Sequence, residues 1–302
     1  MIQMGLGTVQ LGLPYGNRAH QGLMPERDAV DILRYAVESG IREFDTAASY
    51  GLSEDRIGRS GIASMDGVRI STKLPPFDWA QFPNNDAAEN WILKEIKNSI
   101  LKIGCDQIDN LYFHRADQLL NPPKYIKSVL SSIVESGLVS ALGVSIYDPA
   151  ELDGLVDYEQ IKNIQVPANI LDQRFLDKNL LELVTSKKIQ LVARSIFLQG
   201  VLVEECDLPE VQLKNELSEL RRKAVSILEE GSILSDAAVQ FAKNNLSAPF
   251  QSFIIGVDSL ASLKSNLNKF DNATDPVSDV VLRLLAELSA ETGNLVDPRA
   301  WK

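Results

Sequence analysis

Histidine and cysteine are scarce in this 302-residue chain, which has two of each. Cys105 and Cys206 lie far apart with no metal-ligand spacing, so they read as buried or incidental thiols; no metal site is expected, and a reducing cytoplasm suits them. Basic charge is also short: 30 lysines and arginines face 41 aspartates and glutamates, a formal net charge of −11. No dense Lys/Arg stripe reverses that field locally, so the surface repels phosphate backbones and anionic membranes, which argues against nucleic-acid binding. No apolar run approaches membrane-spanning length, and Met1-Ile2-Gln3-Met4-Gly5 shows no basic leader before an apolar stretch, which argues against insertion and secretion. Linkers rich in Pro, Gly or Ser are missing too, and no repeat is visible beyond a strand–helix alternation. One domain over 1–302 is the simplest organisation.

What the chain does have is core-forming residues, at 45% hydrophobic, arranged in short β-branched runs between longer amphipathic stretches. Eight such runs stand out: Met4–Val9, Ile41–Asp45, Val68–Lys73, Ile108–His114, Val139–Ser145, Ile161–Val166, Ile189–Arg194 and Ser252–Ile255. Helix-like segments separate them, among them Glu26–Ser39, Asp86–Ile103, Pro122–Ser136 and Ser259–Phe270, several opened by Asp, Ser or Pro as helix starts favour. The alternation predicts βαβ units in a parallel sheet, either a closed barrel or a doubly wound sheet. Gly5-Leu6-Gly7-Thr8-Val9-Gln10 lacks the third glycine of the dinucleotide fingerprint, which weighs against the doubly wound form. Two segments exceed ordinary loops: 197–230 after the seventh run, with a charged helical stretch at Val211–Leu228, and the extension 271–302, with an amphipathic run at Val277–Glu291. In a barrel such material lies over the C-terminal face.

Four polar residues close, or follow, successive runs: Asp45 and Tyr50 in Gly40–Gly51, Lys73 ending Val68–Lys73, and His114 ending Ile108–His114. Singly, each has an ordinary explanation as a cap, a packing residue or a surface group. Together they occupy the strand ends where barrel enzymes place their catalysts. They also form a chemical set. Adding hydride to a carbonyl leaves negative charge on oxygen, which needs a proton donor. A phenol of unperturbed pKa about 10 is a weak donor unless a buried ammonium lowers it and a carboxylate keeps that ammonium charged. Tyr50, Lys73 and Asp45 suit those roles, and His114 would orient the carbonyl and share its charge.

At these residues, and on through Ser53-Glu54-Asp55-Arg56-Ile57-Gly58, the chain resembles the aldo-keto reductase superfamily from Met4 to about Asp271. The resemblance implies an α/β fold, a single (β/α)8 TIM barrel with long loops over its C-terminal face, and NADP(H) as cofactor, with NAD as competitor. It also implies a cofactor site at Gly7, Thr8, Asp45, Ser145, Gln165, Arg194, Ser195, Gly256, Ser259 and Asn266. The chain departs from the family at Ile146, where asparagine usually follows the serine, and at Gly256, Asp258 and Ser262, where basic residues usually grip the 2′-phosphate; Lys264 is the cation left in that loop. Tyr15, Trp79, Arg115 and Phe197, with Phe77 beside them, are candidates for the substrate pocket. His20 reads as a surface residue.

The resulting expectation is a cytoplasmic NADP-dependent oxidoreductase, monomer or weak homo-oligomer, that reduces aldehyde or ketone groups of small molecules or sugars with Tyr50 as general acid. Its alternatives are a sugar or alcohol dehydrogenase running in the oxidative direction and a cofactor-sensing regulatory subunit.

Overall fold

The eight β-branched runs become eight parallel strands in chain order: β1 (Gln3–Gly7), β2 (Glu43–Asp45), β3 (Arg69–Lys73), β4 (Ile108–Phe113), β5 (Val139–Ser145), β6 (Ile161–Pro167), β7 (Gln190–Arg194) and β8 (Phe250–Gly256). The last pairs with the first, which closes a barrel as expected. The computed structural model describes residues 2–16, 22–204, 207–209 and 211–301; His20 and Cys206 lie outside them. Among the described residues no helix is long and apolar enough to cross a membrane.

Side chains alternate across each strand, so one parity faces the surrounding helices and the other the barrel interior. The outward parity is apolar and buried, with Phe44, Ile70, Leu111, Phe113, Leu142, Val144, Ile164 and Val166 under the helices. Inside, the layers are polar. At the base Arg69 Nη2 donates to Gln3 (2.6 Å) and Glu43 (2.7 Å). In the middle Asn110 donates to Ser71 (3.1 Å) and Asn163 to Asn110 (2.7 Å). At the C-terminal end Asp45, Lys73 and Gln165 meet. Barrel interiors are usually filled by branched aliphatics; here a buried polar ladder requires its members to satisfy one another.

The helices are α1 (Val9–Gly12), α2 (Glu26–Glu38), α3 (Ser53–Ser60), α4 (Asn85–Ile103), α5 (Asp117–Leu120), α6 (Ile126–Glu135), α7 (Lys178–Ser186), α8 (Lys214–Ile227), α9 (Leu234–Asn244), α10 (Leu260–Asn272) and α11 (Asp279–Thr292). In α4 the stripe Ala88, Ile92, Ile96, Ser99, Ile103 is buried, Asn84 caps the start by accepting from Ala87 N–H, and Gly104 ends it at φ +73°. By contrast α3 has no apolar stripe: its buried residues are Ser53, Glu54, Arg56, Ile57 and Ser60. Hydrogen bonds hold it instead. Thr72 donates to Glu54 (2.7 Å), and buried Arg56 donates to the carbonyls of Leu11 and Met24. The long segment after β7 supplies α8, which packs on α11 of the C-terminal extension.

Two glycines let the chain cross itself beside the barrel mouth. Gly12 O accepts from Leu52 N–H at 2.9 Å; a Cβ on Gly12 would sit 1.9 Å from Tyr50 O, and one on Gly51, at φ +58°, 2.4 Å from Gly12 O. Neither obstruction is a flexible side-chain end, so the backbone itself must move. Gly12→Ala is therefore expected to destabilise the protein by at least about 1–3 kcal/mol through overpacking and to displace Tyr50. A denaturant melt matching wild type would contradict this contact.

Candidate active site

Asp45 ends β2 and Lys73 ends β3, and both point into the barrel, where neither meets bulk water: Lys73 is 2% and Asp45 6% exposed. The Lys73 ammonium donates to both Asp45 oxygens at 2.7 Å and to Thr46 O at 2.9 Å. Gln165 on β6 adds a bond from Nε2 to Asp45 Oδ1 at 2.8 Å. Burial pulls the Lys73 pKa down, and Asp45 works against that. An ammonium with three oxygen acceptors and a carboxylate with a further donor satisfy a charge pair that the interior would otherwise reject.

Tyr50 stands above this pair on the turn leading into α3. The turn is pinned by Tyr50 N–H to Ala47 O (2.9 Å) and by buried hydroxyls, with Ser53 Oγ 2.8 Å from Thr46 Oγ1 and 2.6 Å from Thr8 Oγ1. His114, one residue past β4, meets the Tyr50 ring edge-on with centroids 5.9 Å apart, and its Nδ1 lies 3.3 Å from Ser49 Oγ. Burial, with Lys73, Arg194 and Arg115 adding positive charge, lowers the His114 pKa from 6.5 to about 3, so the imidazole is neutral. The phenol goes the other way. Burial first, then Asp45, hold Tyr50 above its ordinary value, while Arg194 pulls it down. This corrects the expectation that Lys73 lowers the phenol's pKa. The lysine's hydrogen bonds are directed at Asp45 and Thr46, its ammonium lies 5.0 Å from the Tyr50 ring centroid, and Asp45 acts on the phenol in the opposite direction.

A groove with a cavity of about 220 Å3 runs from Asp45, Tyr50 and Gln165 along the ends of β7, β8 and β1 to Asn266 on α10. Gly7, Thr8, Arg194, Ser195 and Gly256 border it, as do Tyr15 and Phe197. Thr8 has spent its hydroxyl, which donates to Asp45 O (3.0 Å). Ser195 has φ +60°, Leu198 +45° and Gln199 +50°, three non-glycine residues in the left-handed region within one loop. Such backbone costs about 1–3 kcal/mol per residue and is kept where the surroundings enforce it; here Asn169 Nδ2 holds Ser195 O at 3.1 Å.

Other sequence candidates fall elsewhere. Ser145 ends β5 in register with Gln165, is buried, and does not line the groove. Ser259 is the cap of α10: its hydroxyl accepts from Ser262 N–H and donates to Asp258, while Ser262 Oγ accepts from the N–H groups of Asp258 and Ser259. It borders a neighbouring cavity of about 440 Å3 that shares Gln10, Tyr15 and Asp258 with the groove. Trp79 is held in an aromatic cluster, its ring 4.9 Å from that of Phe77 and its Nε1 donating to Gln118 O at 2.6 Å. Arg115 turns to Asp117 (3.0 Å). Neither Trp79 nor Arg115 lines the groove: Trp79 is held by Phe77 and by Gln118 of α5, and Arg115 by Asp117.

Against known proteins, the Aldo/keto reductase family model matches residues 3–281. The chain belongs to that family. Aldo/keto reductases are oxidoreductases acting on carbonyls with nicotinamide cofactors. Aldo-keto reductase YhdN of Bacillus subtilis is 27% identical over 66% of this chain and 60% of its own length; the match thus spans under two thirds of that protein. L-glyceraldehyde 3-phosphate reductase of Escherichia coli is 24% identical over 89% of this chain and 85% of that protein. The holo form of aldo-keto reductase AKR11C1 from Bacillus halodurans superposes with a TM-score of 0.73 at 21% identity, over 95% of this chain and 91% of that one, which bears on the fold.

Within this aldo/keto reductase, sequence reasoning overlooked Gln10, Gln199 and Val203 as groove residues. Gln10 follows β1 at the barrel mouth, so position after a strand could have found it. No local pattern marks Gln199 and Val203, which lie in the segment after β7. Among the described residues no group of three or more His, Cys, Asp or Glu is arranged to hold a metal ion.

The depressed His114 pKa has a consequence for stability. A base neutral in the folded state and chargeable at 6.5 when unfolded supports folding fully above 6.5 and loses that support as pH falls toward about 3. Wild type is expected to lose stability in that window more steeply than His114→Asn, and the His114 ring should keep its neutral NMR shift down to pH 5. A titration midpoint near 6.5 would contradict the burial.

Proposed function

We propose that this chain is an NAD(P)H-dependent carbonyl reductase in which Tyr50 is the general acid, His114 orients the substrate oxygen, and Lys73 with Asp45 forms the charged floor beneath them. The observation that carries the reading is the grouping of Tyr50 and His114 over the Asp45–Lys73 pair, beside the groove that runs from Asp45 and Tyr50 to Asn266. Family membership supplies the reaction class.

Residues along the groove fit such a cofactor. Gly7 and Gly256, in register on β1 and β8, border it without side chains of their own, and Gln165, Arg194, Ser195 and Asn266 offer polar groups along it. When bound, the reduced nicotinamide supplies hydride. The chain's own residues do the rest. A carbonyl oxygen placed between Tyr50 and His114 meets a phenol that stays protonated at neutral pH, since burial and Asp45 raise its pKa, and a neutral imidazole that can donate one N–H. Tyr50 gives its proton to the oxygen as charge develops there. Tyr15 and Phe197 give the groove an aromatic border suited to small aldehydes, ketones or sugars.

Phosphate preference is a finer matter. Family habit favours NADPH, but Gly256, Asp258 and Ser262 are not basic, and the Lys264 ammonium sits 4.9 Å from the Tyr35 ring centroid, against α2. NADPH and NADH are therefore expected to bind with similar affinity, and Asp258→Arg to strengthen NADPH alone by about 1–3 kcal/mol through a charge-assisted contact. Calorimetric titration decides; a strong wild-type NADPH preference would mean that other residues grip the phosphate.

Tyr50→Phe tests the acid. It should abolish nearly all turnover of small aldehydes with either cofactor while leaving cofactor affinity within about twofold, because it deletes a proton donor and little surface. Near-normal turnover would overturn the mechanism.

A further inference from the structure

Arg194 ends β7 and borders the groove, and its own hydrogen bonds are few: Nη2 to Ile146 O at 2.9 Å and Nη1 to Ser195 Oγ at 3.3 Å. Those two bonds leave N–H donors of the guanidinium free to point in more than one direction. The plane of the group is set by Tyr147, whose ring centroid lies 3.9 Å from the Arg194 guanidinium carbon. A second guanidinium, that of Arg299, lies 3.9 Å from the same centroid. Two groups at that height cannot share one face of a ring, so Tyr147 is clamped between them.

Like charges on either side of a ring repel, and Asp297 answers this. Its carboxylate accepts from Arg299 Nε at 3.0 Å and Nη2 at 2.6 Å, neutralising the outer guanidinium. Among the described residues Arg194 has no carboxylate partner, so it remains the net cation at the groove. The clamp is anchored at both ends. Tyr147 N–H donates to Glu151 Oε2 at 2.6 Å, and Trp301, two residues past Arg299, is 2% exposed with Nε1 donating to Leu295 O at 3.0 Å. Arg299 thus reaches the groove only through the Tyr147 ring.

We propose that Tyr147 and Arg299 are positioning residues for Arg194: the C-terminal segment, through Asp297, Arg299 and the Tyr147 ring, sets the direction in which Arg194 presents its N–H groups to a ligand in the groove. This rests on the reading of the groove as a nicotinamide site. A guanidinium held flat on an aromatic face loses little freedom when it binds, so a formed clamp raises affinity without touching the ligand.

The test is a double-mutant cycle on the full chain, titrating whichever of NADPH and NADH binds wild type more tightly. Arg299→Ala and Tyr147→Leu should each weaken that cofactor about 3- to 10-fold, the size of one cation–π contact. Both effects should vanish in an Arg194→Ala background, and Tyr147→Phe, which keeps the ring, should recover most of the loss. Arg299 is half exposed on its side chain, so its alanine variant is expected to fold. Equal losses with and without Arg194, or no loss at all, would overturn the proposal while leaving the groove reading intact. A wild type that binds neither cofactor would overturn both.

Discussion

The interior of this barrel is organised around one buried ion pair. Lys73 is among the largest fully buried side chains in the molecule, and its ammonium is tolerable there because Asp45 takes two of its hydrogen bonds and Thr46 O the third. Removing one partner of such a pair typically costs about 3–5 kcal/mol, since the other is left charged and dry. The neighbours follow from that constraint. Gln165 reaches across from β6 to Asp45, and below them Ser71, Asn110 and Asn163 continue the polar column. A branched-aliphatic filling at this end of the barrel would strand the pair. The floor of the candidate site and the stability of the barrel therefore rest on the same set of contacts.

The same pair explains how phenol and imidazole are tuned apart. At the phenol, burial and Asp45 act in the same direction, against Arg194, and Tyr50 keeps its proton. At the imidazole, burial acts with Lys73, Arg194 and Arg115, and His114 stays neutral. One proton donor and one neutral hydrogen-bonding ring result from two groups whose ring centroids are 5.9 Å apart. Their placement is a backbone matter: the crossing of Gly12 and Gly51 and the Thr8–Ser53–Thr46 hydroxyls hold the turn that carries Tyr50.

Away from the floor, the groove is built from loops that lean on distant parts of the chain. The strained run Ser195–Gln199 is held by Asn169, and Gln199 Nε2 donates to the Tyr15 hydroxyl at 3.1 Å, joining the loops after β7 and β1. The opposite end is bordered by Ser262, whose hydroxyl, together with that of neighbouring Ser259, uses the N–H groups that a phosphate would otherwise find at the start of α10.

Eight strands within two residues of their expected bounds, the stripes of α2 and α4, and the strand-end positions of Asp45, Lys73 and His114 were legible in the sequence, because alternation and amphipathic spacing are local properties of the chain. Helix α3 was not, since apart from Ile57 its buried face is Ser53, Glu54, Arg56 and Ser60, and polar residues carry no periodic signal until partners such as Thr8, Thr46 and Thr72 are in place. Nor was the direction of the Tyr50 shift: the sequence supplies a lysine, but whether its charge reaches the phenol depends on where the Asp45 carboxylate sits. Trp79, Arg115 and Ser259 were chemically plausible for the site, and nearer partners took them in the fold. What the sequence alone determined is the barrel and the identity of the groups at its mouth. Which of them touch, and with what charge, was decided by contacts between residues far apart in the chain, such as the 120 positions from Asp45 to Gln165, and such contacts leave no trace in local pattern.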